Sequence, residues 1–158
     1  MSNNIRRVVT GHDANGKAII AIDEIVSDIS QPRPGQSGAL VFMTQGFPID
    51  NSDVPVDGSA PAAGVVPGRS TFRITTFEPG VAPRAHRTQS FEYGVVLSGE
   101  IKMVIEDASV LLKSGDCFVQ RGTIHDWINE GSVPCVVAMI SMAALPLKIG
   151  DKVLAPQG

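Results

Sequence analysis

Three side chains in this 158-residue chain have the types to do chemistry together: His86, Glu92 and His125. Two imidazoles and one carboxylate suffice as a first shell for a divalent transition metal, leaving up to three positions for water or substrate. A metal held this way acts as a Lewis acid or as a site of O₂ activation. His86 and Glu92 do not share one helical face, and His125 is remote in sequence, so only a tertiary fold can assemble them. Arg84 and Arg87 flank His86. Either could pair a substrate carboxylate bidentately, the alternative being a solvated charge at a strand end. Trp127 and Asn129 share the strand parity of His125, so the same side is expected for all three. Trp127 then either walls a pocket, suiting an aromatic or unsaturated substrate, or packs in the core. Tyr93 has the parity opposite to Glu92 and is expected outside.

The elements that must position these groups read as strands. Glycines frame both stretches, as Gly80-x5-His86-x5-Glu92-x6-Gly99 and Gly115-x6-Gly122-x2-His125-x3-Asn129, and the residues between are rich in β-branched and aromatic types. Short strands are expected at Val95–Ser98, Lys102–Ile105, Ser109–Leu112, Cys117–Gln120, Asp126–Asn129 and Cys135–Met142. Thr71–Glu78 alternates, with Phe72, Ile74 and Thr76 on one face. Upstream, Arg6–Thr10 and Ala18–Ile25 flank Asp13-Ala14-Asn15-Gly16, a hairpin turn in which Asn-Gly supplies positive φ. Residues 31–38 read as a connector and Ala39–Thr44 as a further strand. Residues 47–68 read as a long loop, either a lid across one mouth of a barrel or padding on its outside. No segment of the core carries a helical period. Many short, regularly spaced strands mean a β-sandwich or barrel, and closure removes exposed edges.

Both glycine-framed stretches resemble the two motifs of the cupin superfamily. The first motif runs Gly, five residues, His, one residue, His, then Glu and Gly; Gly80, His86, Glu92 and Gly99 match it, while Thr88 stands where the second His belongs. Gly115, Gly122, His125 and Asn129 match the second motif, with Gln120 in place of its usual Pro. The resemblance implies an all-β double-stranded β-helix, or jelly-roll barrel, with extra N-terminal strands. Residues 1–70 would pack on a core barrel of residues 71–143, and residues 144–158 would form a tail. It implies one divalent metal (Fe, Mn, Ni or Zn) on His86, Glu92 and His125. A neutral Thr88 hydroxyl ligates poorly, so Thr88 is expected to bond a metal-bound water, with Gln89 or Ser90 as alternatives.

The implied activity is decarboxylation, dioxygenation, isomerisation or dehydration of a small organic acid, enol or aromatic substrate, with Thr88, Arg84, Trp127 and Asn129 on the substrate. The rivals are a non-catalytic small-ligand binder, metal-bound or metal-free, and a structural barrel working through its dimer surface. No DNA-binding helix-turn-helix precedes the barrel. The net charge of −3 carries no nucleic-acid footprint. No apolar run is long enough for a signal peptide or membrane span, so a cytoplasmic protein is expected. A homodimer is expected through the N-terminal strands. Cys117 and Cys135 make no disulfide scaffold, and a cytosolic location leaves both reduced. His12 sits in a turn, ordinarily just exposed, unless its hairpin folds over a barrel mouth. Asp13 and Asn15 lack the further ligands of a calcium loop, and Gly35-Gln-Ser-Gly38 lacks the Lys and helix of a phosphate loop.

Overall fold

The computed structural model describes residues 4–44, 46–51 and 67–158. Among them there is no helix, and thirteen strands fall into four sheets. The largest sheet has six strands in the order β3 (Ile29–Arg33), β4 (Gln36–Met43), β5 (Ser70–Phe77), β11 (Cys135–Ala143), β6 (Ser90–Ser98) and β9 (Cys117–Arg121). Facing it is a three-stranded sheet in the order β10 (Asp126–Ile128), β7 (Glu100–Ile105) and β8 (Ala108–Lys113). All pairings are antiparallel. The expected jelly-roll therefore forms, its two sheets enclosing one core.

Strand β11 sets the register of the larger sheet because it is paired on both sides. Cys135, Val137 and Ser141 lie opposite Phe77, Thr75 and Thr71 of β5, and on the other side Ser141 lies opposite Glu92. Period-two alternation turns Phe77, Val96, Phe118, Cys135 and Val137 inward, where Ile101, Leu112 and Trp127 of the smaller sheet meet them. On β5 the buried face is Thr71, Thr75 and Phe77, with Thr76 also buried; Phe72 is exposed. The same parity that buries Glu92 leaves Tyr93 outside, half exposed and edge-on to Phe91.

Two glycines are required by close approach. At Gly99 the φ is 73°, and a Cβ would sit 2.6 Å from the Pro134 carbonyl oxygen. At Gly94 a Cβ would sit 2.1 Å from Phe118 Cζ, because the tip of the Phe118 ring packs against β6 at that point. Gly94→Ala is expected to destabilise the protein by about 1–3 kcal/mol through overpacking. Urea unfolding measures this, and Phe118→Leu in the same background should recover part of the loss.

Strands β1 (Ile5–His12) and β2 (Ala18–Val26) form the expected N-terminal hairpin. Its turn is closed by the Asp13 carboxylate, which accepts from the Asn15 and Lys17 amides at 2.8 and 2.9 Å. His12 is exposed at the end of β1. The hairpin stands off the barrel, with Val8, Ile19, Ile20 and Ile25 all at least 40% exposed. It is attached through Arg7, which is buried, donates to the Val41 carbonyl oxygen and pairs with Glu24.

Residues 31–38 are not a connector. They form most of the β3–β4 hairpin, turned at Pro34-Gly35, where Gly35 has φ 76° and its missing Cβ admits Val81. A Pro-Gly turn joins two strands directly, and this pair extends the large sheet. The tail also carries structure: β12 (Leu147–Ile149) and β13 (Lys152–Leu154) make a short hairpin. Beyond it, Gln157 pairs with Arg87 through two backbone hydrogen bonds of 2.7 and 3.0 Å. The expected loop at 47–68 falls largely on residues 52–66, outside the described residues. No described helix is long and apolar enough to cross a membrane.

Candidate active site

His86 and His125 are brought together by their backbones. The two residues form an isolated antiparallel bridge, each amide donating to the other's carbonyl oxygen at 2.9 Å. Their rings follow, with centroids 4.3 Å apart. Each ring is oriented by a carbonyl two residues back: His86 Nδ1 lies 3.0 Å from the Arg84 oxygen, and His125 Nδ1 lies 3.1 Å from the Thr123 oxygen. A carbonyl can only accept, so Nδ1 carries the proton in both rings and Nε2 is the basic atom. His125 is 3% exposed, and its imidazole is pushed down to about 4, chiefly by burial and further by His86. The Thr123 carbonyl and Asp126 oppose this shift without overcoming it. His125 is neutral at pH 7.

Glu92 is buried one strand away and belongs to a chain of hydroxyls. Thr88 Oγ1 and Ser90 Oγ are 2.6 Å apart, and Ser90 Oγ donates to Glu92 Oε1 at 3.1 Å. Ser141 Oγ, from the opposing position on β11, donates to the same oxygen at 3.1 Å. Gln120 lies opposite Glu92 on β9, 1% exposed, with its amide nitrogen against the His125 ring, 2.5 Å from Nδ1 and 3.2 Å from Nε2. The Gln120 carbonyl oxygen is buried without a hydrogen-bond partner among the described residues.

The expected three-ligand metal centre is thus not assembled. Among the described residues no three His, Cys, Asp or Glu side chains come close enough to hold an ion. The histidines fit one, since each Nδ1 is engaged by a carbonyl in the manner of ligating imidazoles. Glu92 does not join them in one group; its Oε1 accepts from Ser90 and Ser141.

Two expected substrate contacts prove structural. Trp127 is 4% exposed and packs among Phe77 and Phe118, with centroids 6.2 and 4.9 Å away; only its edge reaches His125, at 5.9 Å. Burial between the two sheets holds it there. Asn129 donates to the Phe77 and Val133 carbonyl oxygens at 2.8 and 2.9 Å and accepts from the Gly131 amide. Both of its polar ends are consumed in shaping the turn after β10. Arg84 and Thr88, by contrast, line a cavity of about 660 Å³ together with His86, Arg87, Leu145 and Gly158. Cys117 and Cys135 are free thiols, and burial, then Glu100, pushes Cys135 up to about 11, where it is inert as a nucleophile.

One residue that positions the site escaped the sequence reading. Asp126 accepts from the Trp127 amide at 2.7 Å and from the Arg84 amide at 2.9 Å, and it faces Arg33 of β3 at 3.5 Å. It therefore holds the Arg84–His86 segment against β10. Burial pulls the Arg33 guanidinium down, and Asp126 pulls it back up. The visible signal was its place next to His125; its partners were invisible.

Comparison with known proteins shows the family and the fold. A family model described as the cupin domain matches residues 73–141. The cupin-domain-containing oxidoreductase fogC of Aspergillus ruber is 30% identical over 140 residues, covering 84% of this chain and 69% of the relative. The chain belongs to the cupin family. Another relative of this cupin, phomopsin biosynthesis cluster protein D of Diaporthe leptostromiformis, is 34% identical over 157 residues, covering 94% and 83% of the two chains. Among solved structures, the polyketide cyclase RemF of Streptomyces resistomycificus superposes with a TM-score of 0.52 at 13% identity. That match covers 84% of this cupin and 80% of the cyclase and speaks for the fold alone.

Proposed function

We propose that this cupin is an enzyme that binds a small organic acid or enol in the 660 Å³ cavity and moves a proton at the carbon beside its carboxylate. The observation that carries this reading is His86. Its Nδ1 is committed to the Arg84 carbonyl, its ring lines the cavity, and Arg84 and Arg87 line the same wall. A carboxylate held by either guanidinium sets the adjacent C–H before the basic Nε2. The proton passes to His86 Nε2, the C–H electron pair becomes an enolate, and return of the proton to another atom completes an isomerisation. Neutral His125 and Gln120 back the reacting imidazole without adding charge. Relatives named as oxidoreductases support catalysis at the level of the family, while the reaction class proposed here rests on the site.

Deuterium exchange into acetoacetate in D₂O, followed by NMR, tests it. Wild type is expected to accelerate exchange at C2, and His86→Ala to lower the rate roughly 10²–10⁴-fold. Equal rates in the two proteins would remove His86 from the chemistry.

The assembly proposed is a homodimer through the N-terminal hairpin. The exposed Val8, Ile20 and Ile25 share one face of the hairpin, an apolar patch that a second copy would cover. Light scattering at micromolar concentration is expected to give a dimer that deletion of residues 1–25 converts to monomer. A full-length monomer would end this part of the proposal.

A further inference from the structure

A second cavity, of about 210 Å³, adjoins the first and shares with it the walls Arg87, Thr88, Gln89, Ala144, Leu145 and Pro156. It is also lined by Leu147, Lys148 and Leu154 of the β12–β13 hairpin and by Arg121, none of which lines the first cavity. Among the described residues no Asp or Glu lines either cavity. Among the described residues none of Arg84, Arg87, Arg121 and Lys148 is in an ion pair. Four unpaired cations without one acid are not the average surface of a chain whose net charge is −3. Arg87, the cation common to both cavities, has a buried Nε with no hydrogen-bond partner among the described residues. Apolar side chains share the lining with these cations: Leu147 and Leu154 line the second cavity, and Leu145, 90% exposed, lines both.

We infer that the joined cavities bind an amphipathic dianion: an apolar body with one acid group on Arg84 in the first cavity and a second on Arg121 and Lys148 in the second, Arg87 lying where the cavities meet. The chemistry follows from which side chains line which cavity. Cations particular to each cavity recognise two separated negative charges, whereas a single acid would satisfy one and leave the other as bare positive charge. The leucines of the lining reward an apolar spacer at about 25 cal/mol per Å² covered. This deepens the proposed function by naming the substrate class, and it rests on that reading only in placing the reacting end of the ligand beside His86. Arg121 and Lys148 line only the second cavity and take no part in the chemistry.

Isothermal titration with three probes tests the inference: decanedioate, decanoate and succinate. Wild type is expected to bind decanedioate about tenfold or more tighter than decanoate, which lacks the second charge, and tighter than succinate, which lacks the spacer. The double variant R121Q/K148Q neutralises two exposed side chains. It should bring decanedioate down to the affinity of decanoate while leaving decanoate unchanged. Leu145→Ser should weaken both ten-carbon acids and spare succinate. Decanedioate binding no tighter than decanoate in wild type, or binding indifferent to R121Q/K148Q, would overturn the inference. Loss of the exchange reaction with charge-dependent decanedioate binding intact would instead overturn the proposed chemistry and leave this site standing.

Discussion

Asp126→Ala will destabilise the protein by about 3–5 kcal/mol, the cost of leaving a buried charge without its partner. Arg33 and Asp126 are both about nine-tenths buried at the side chain, and Arg33 Nε already has no hydrogen-bond partner. Removing the carboxylate leaves the guanidinium with little beyond a 3.4 Å contact to the Trp127 carbonyl. The same change orphans the amides of Arg84 and Trp127. Urea denaturation should show the loss as a lower midpoint at constant slope. The double variant Arg33→Met/Asp126→Ala should be more stable than Asp126→Ala alone, because it removes the stranded cation as well. A loss under 1 kcal/mol for Asp126→Ala would mean that the 3.5 Å pair carries nothing.

Thr88→His will raise affinity for divalent zinc or nickel about tenfold or more. The wild-type site offers two imidazoles, and Glu92 is held by serine hydroxyls, so metal binding is expected to be weak. Thr88 lines the same cavity wall as His86, two residues along, so a histidine there adds a third imidazole to the pair. It also breaks the link from Thr88 to Ser90, removing one constraint on the chain that ends at Glu92. Competition with a chelator measures both proteins, and His86→Ala and His125→Ala in the Thr88→His background should each return affinity to the wild-type level. An unchanged affinity would show that position 88 does not face the imidazole pair.

What the sequence made legible was the part governed by local rules. The framing glycines announced turns, the two-residue period announced which side of β6 and β11 is buried, and the Asp13–Gly16 turn announced the first hairpin. The meeting of His86 with His125 was legible only through the resemblance, since 39 residues separate them and no local pattern joins them. The contacts that decide what the site can do were not legible. Ser141 reaches Glu92 because of a register between two strands, and Gln120 reaches His125 because the chain doubles back after β9. Arg33 meets Asp126 across 93 positions of sequence. Registers and crossings of this kind are settled by packing of the whole barrel, which a linear reading does not contain. Trp127 and Asn129 show the same limit from the other side. Parity correctly placed them inward, yet inward meant the core and a turn.

The seam between Arg87 and Gln157 has a kinetic consequence. Strand β11 is hydrogen-bonded along both edges, so its amides exchange with solvent only through large-scale opening. The tail is fastened to Arg87 by two backbone bonds, and Gly158 rests directly on His86, where even a Cβ would meet the His86 Cβ at 2.8 Å. Fraying of so short a seam is the easiest opening this region has. Each such event would lift Gly158 off the Cα and Cβ of His86, so the exchange rate of the Gln157 amide would report how often this wall of the cavity opens.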